Sequence, residues 1–178
     1  MDRLHRQWFS SILALALSAA AFLCVPRLDA AQDADFPRLR TLDTDLADLI
    51  QQGVEQSPTF RRLVEGVQQS DLIIHVERHN RFREAASGEF RLVGLRGGQR
   101  YVRITLRSHL NRRELTVLLA HELQHASELA AAPHVFDEHG MREFFCSIGH
   151  VRQYGYETVA AQRVARQVSA ELGTRPDR

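Results

Sequence analysis

Residues 115–136 read LTVLLAHELQHASELAAAPHVF, with His121 and His125 four apart and Glu122 beside the first. Apolar residues recur at helical spacing through this run, Asn111 or Ser108 stands where a cap is needed, and Pro133 stops it. The pattern predicts a helix reaching about Ala131. Residues four apart on a helix lie one turn apart on one face, so both imidazoles can aim at a single ion. Glu122 does not easily reach that ion, but it can reach a water at the ion's open position and take its proton. A metal there lowers the pKa of water towards neutrality and polarises a carbonyl, which allows amide hydrolysis without a covalent intermediate.

Working outward, TLDTDLADLIQQGVEQSPTFRRLVEGVQQ carries Leu46, Leu49, Ile50 and Val54, then Phe60, Leu63, Val64 and Val67, mostly three and four apart. These are two amphipathic helices, broken where Ser57 can cap and Pro58 can take the first helical position. DLIIHVE and GEFRLVGLRGGQRYVRITLR then give three strands, the last two joined at Gly97-Gly98. Beyond the histidines, Asp137 can cap a short helix and YETVAAQRVARQVSAELG forms a last one ending at Gly173. The order of helices, a small three-stranded, mainly antiparallel sheet, then helices is α+β.

The chain has 178 residues, enough for one core of ordinary size. Residues 1–30 run from Arg3 and Arg6 through an apolar stretch to a small-residue site before Ala31, which is a secretory signal. Residues 31–178 are then a single exported domain, secreted or periplasmic, with no stable membrane anchor after cleavage. Cys24 leaves with the signal, so Cys146 has no internal partner, and its apolar setting in REFFCSIG points to a buried thiol.

All 23 Lys+Arg positions are arginine, which excludes the phosphate-loop lysine, the Schiff-base lysine and the serine-lysine dyad together. Ten arginines fall between Arg78 and Arg113. An ordinary half-buried strand accounts for RYVRITLR, with Arg103 and Arg107 on a face with Tyr101 and Thr105, and Val102, Ile104 and Leu106 on the other. No RNA-binding signature accompanies them, and no nucleic-acid partner is expected.

HELQH, from His121 to His125, resembles the HExxH signature of the zincin metallopeptidases. The metzincin branch does not fit, because its extended motif needs glycine and a third histidine where this chain has Glu128 and Ala131. A gluzincin-like arrangement fits better. The resemblance implies a minimal zincin-like core, a Zn2+ ion held by His121, His125 and a later glutamate, Glu122 as general base, and a peptide or protein substrate. It also implies an edge strand that pairs with extended substrate, a role YVRITLR could fill. Glu157, opening the last helix after a 31-residue interval from His125, is the third-ligand candidate, with Glu143, His139 and His150 as alternatives. Glu128 is a candidate partner of a ligand or a solvated charge.

The aspartate that in gluzincins follows the ligand glutamate by four residues is replaced by Ala161. Oxyanion donors are sought among Tyr154, Tyr156, His150 and Arg152. His75, His79, His109 and His134 read as ordinary residues. The competing functions are a zinc-binding protein without hydrolysis and an envelope interaction module built on the arginine-rich sheet.

Overall fold

Helix formation starts where short acceptors meet apolar periodicity. A computed structural model describes residues 36–80, 88–152 and 155–173. The Asp43 side chain accepts from the amides of Asp45 and Leu46 and caps α1 (Thr44–Gln56). Ser57 caps α2 (Pro58–Gln68) by accepting from the Phe60 amide, and Pro58 occupies the first turn. Both helices bury the expected stripe, except that Gly53 is buried and Val54 only partly so.

The sheet differs from the sequence expectation. It has four strands, β1 (Leu39–Arg40), β2 (Leu72–His79), β3 (Gly88–Arg96) and β4 (Gln99–Arg107), in the order β1-β2-β4-β3. The pairings β1 with β2 and β2 with β4 are parallel, and only β3 with β4 is antiparallel, so the sheet is mixed. Gly97 and Gly98, both at positive φ, make the β3–β4 turn. A register shift between Leu92 and Gly94 leaves Val93 bulged. YVRITLR therefore lies in the middle of the sheet rather than at its edge. Val102, Ile104 and Leu106 are all within 1% of full burial, a load that suits a central strand, whereas β3 exposes Val93 and Leu95 and takes the edge.

Asn111 and Glu114 form a reciprocal capping box that starts α3 (Arg112–Ala130). Asp137 caps α4 (Glu138–Ile148), and a short hairpin of β5 (His150–Arg152) and β6 (Gly155–Glu157) leads into α5 (Val159–Gly173), which packs on α3. The result is α+β. Leu46, Phe60, Ile74, Ile104, Leu119 and Leu123 meet in one core.

Cys146 is exposed, not buried, because α4 turns Met141 and Phe145 inward and carries Arg142, Glu143 and Cys146 outward. His79 ends β2 rather than lying in a loop. Residues 1–30, read as the signal, lie outside the described residues. No helix among the described residues is long and apolar enough to cross a membrane.

Two polar contacts fasten this arrangement. Arg100, fully buried on β4, makes a bidentate pair with Asp71 at 2.7 and 2.8 Å. Its Nη1 donates to the carbonyls of Leu129, Ala132 and Val135, closing the end of α3. The other contact joins α5 to α2. Glu171 accepts from Ser57 Oγ, from the Thr59 amide at 3.1 Å and from Thr59 Oγ1 at 2.7 Å.

Burial alone would raise the Glu171 pKa, but hydrogen bonds from Ser57, Gln167 and Thr59 outweigh it and hold the carboxyl at about 2. A carboxylate held below its unfolded value of 4.5 stabilises the fold above that pH and loses the contribution as pH falls towards 2. Glu171→Gln is therefore expected to cost on the order of 1 kcal/mol at pH 7. In urea unfolding the gap to wild type should narrow at pH 3; an equal gap at both pH values would contradict the assignment.

Candidate metal centre

The middle of α3 carries the chemistry. His121 and His125 stand one turn apart, and their Nε2 atoms face each other at 3.1 Å. His125 is 1% exposed, its ring walled by Phe145 and Phe90 at centroid distances of 5.2 and 6.1 Å. Glu157 Oε1 lies 3.9 Å from His121 Nε2. That carboxylate comes from the end of β6, one residue before the cap of α5, and not from the helix itself. The reason is local: Thr158 Oγ1 accepts from the Ala161 amide at 3.0 Å, so Thr158 is the cap and Glu157 remains extended.

Donors sharing one tetrahedral zinc at about 2.0–2.1 Å stand roughly 3.3 Å apart. The histidine pair matches that spacing, with both imidazoles presenting Nε2 to one point. Glu157 stands about 0.6 Å beyond that spacing from His121, and among the described residues no group of three or more His, Cys, Asp or Glu side chains is placed to hold a metal ion. The two imidazoles have the spacing of zinc donors, and Glu157 would complete the set only once its carboxylate moves closer to them.

Glu122 is buried to 6% exposure beside the pair. Burial, aided by Glu157 and Glu89 and opposed by His125, pushes its carboxyl up to about 7. Gly88, the first residue of β3, gives it room: a Cβ there would come within 2.6 Å of Glu122 Oε1. Sequence reading missed Gly88, since no local signal connects it to a glutamate more than thirty residues away.

Glu128, the next turn of α3, accepts from His125 Nδ1 at 2.9 Å and from Thr158 Oγ1 at 2.7 Å. Burial would raise its pKa, yet these hydrogen bonds lower it. Thr158 was also missed, although a threonine ahead of VAAQ is a recognisable cap signal.

The other candidates divide. His139 and Glu143 pair with each other at 3.3 Å on the exposed face of α4. His150 is exposed and lies opposite Glu157 in the β5–β6 register. Tyr156 stacks on Phe145 at 4.5 Å, which gives its ring a packing role. Tyr154 and the Arg152 side chain lie outside the described residues. His75, His79, His109 and His134 are exposed.

The arginine-rich sheet is largely neutralised where it is described. Arg78 pairs with Asp43 and Asp45, Arg91 with Glu138, Arg100 with Asp71, and Arg103 approaches Glu77 at 3.8 Å. No family model, curated protein or solved structure matches this chain.

Proposed function

We propose that the chain is an exported zinc-dependent peptidase with a zincin-like, gluzincin-like core, holding zinc through His121, His125 and Glu157. The observation that carries this reading is the facing of the two Nε2 atoms at 3.1 Å, with Glu157 beside them and a buried Glu122 alongside. Zinc, when bound, supplies a Lewis acid that acidifies water and polarises the carbonyl under attack.

Glu122 accepts the proton that water gives up and returns it to the departing amine. A carboxyl with a pKa near neutrality is suited to both steps. Phe90 and Phe145 keep bulk water from His125. The strand offered to an extended peptide is β3, the edge strand, whose first residue adjoins Glu122. The apolar stretch of residues 1–30 supports action outside the cytoplasm.

A purified chain from Ala31 onward is expected to hydrolyse unstructured peptides, to lose that activity to a chelator and to regain it with stoichiometric zinc. Hydrolysis that a chelator leaves unchanged would contradict the reading.

A further inference from the structure

Histidine ligates through a nitrogen that carries no proton, so something must hold the proton on the other nitrogen. In His125 the Nδ1 faces Glu128 Oε2 at 2.9 Å, and Nε2 faces the point shared with His121. A carboxylate can only accept here, which places the proton of a neutral ring on Nδ1 and the lone pair on Nε2. The Glu128 carboxylate is itself fixed, because its other oxygen accepts from Thr158 Oγ1 at 2.7 Å. That hydroxyl uses its lone pair on the Ala161 amide and its proton on Glu128, so both of its roles are satisfied at once.

Thr158 also adjoins Glu157, the third donor. Gly149 lies against the Glu157 carbonyl and the Thr158 methyl so closely that a side chain at 149 would displace this segment. One short segment therefore delivers a ligand with residue 157 and orients another ligand through residue 158.

We propose that Glu128, held by Thr158, is a positioning residue that locks His125 in its Nδ1–H tautomer and thereby couples the aim of His125 to the seating of Glu157 ahead of α5. The proposal rests on the zinc reading for its function but not for its tautomer. It supplies the carboxylate partner that Ala161 leaves unfilled, from a different element of the fold.

The test uses the mature chain and its Glu128→Gln, Thr158→Val and Thr158→Ser variants, with two readouts. Zinc affinity is measured by competition with a chromophoric chelator, and the His125 ring nitrogens are followed by 15N NMR in the metal-free protein. Glu128→Gln and Thr158→Val should weaken zinc about 10–100-fold, Thr158→Ser should stay near wild type, and wild-type His125 should be the Nδ1–H form. Wild-type affinity in both Glu128→Gln and Thr158→Val, or an Nε2–H ring in the wild type, would overturn the proposal. If the wild type takes up no zinc, the peptidase reading fails by itself. The ring shifts then still decide the role of Glu128, Nδ1–H upholding it and Nε2–H overturning it.

Discussion

Glu122→Gln is expected to lower peptide hydrolysis by about 10²–10⁴-fold, the range typical of a lost general base, while the chain keeps its zinc. Glutamine has the same shape but no oxygen that can take up a proton at neutral pH. The substitution keeps the size of the side chain that Gly88, lacking a Cβ, accommodates. It is also gentle on stability. Burial already drives this carboxyl to about 7, so a neutral amide removes a charge that the fold disfavours. Lost activity with unchanged unfolding and unchanged zinc would locate the defect in proton transfer. The check is kcat/KM on a peptide substrate beside metal content and urea unfolding of the same sample. Activity within tenfold of wild type would remove Glu122 from the base role.

Arg100→Met is expected to have the largest effect on folding, about 3–5 kcal/mol, the usual cost of taking one partner from a buried charged network. The side chain is completely buried, and its loss leaves the Val135 carbonyl and Asp71 without their guanidinium donor, while the Leu129 and Ala132 carbonyls each lose one donor and keep a backbone amide. Each buried acceptor left without a donor costs about 1–3 kcal/mol if nothing replaces it. Asp71→Asn removes the counter-charge of a fully buried guanidinium but leaves an amide oxygen and the three carbonyls to accept from it, so a smaller loss, about 1.5–3 kcal/mol, is expected. Urea midpoints of the two variants measure the difference. Equal, small losses in both would show that Arg100 does not close the motif helix. Since α3 also carries His121 and His125, weakened zinc binding should accompany the loss.

The legible parts of this protein are those governed by neighbours in sequence. Asp43, Ser57 with Pro58, Asn111 and Asp137 cap where short acceptors precede apolar periods, and the structure uses each of them. The HELQH face was readable for the same reason, because helical spacing alone brings the two imidazoles together. Strand order was not. Whether β4 docks on β2 or stays at the edge depends on pairing between distant segments, and the two-residue β1 is too short to leave a pattern.

Arg100 shows a signal that was present and easy to pass over. It shares the parity of Val102, Ile104 and Leu106, the buried face of β4, so alternation alone points it into the core. Its partners, an aspartate before β2 and the end of α3, are visible only in three dimensions. The same holds for Glu128. Its spacing from His125 allows a contact, but Thr158, which fixes it, comes thirty residues later.

The central claim is that His121, His125 and Glu157 hold one zinc ion, and metal content tests it most directly. Elemental analysis of the mature wild type after zinc loading and desalting is expected to give one zinc per chain, with His121→Ala and Glu157→Ala each losing it. No zinc in the wild type, or full zinc in His121→Ala, would contradict the account; full zinc in Glu157→Ala would contradict the assignment of the third ligand.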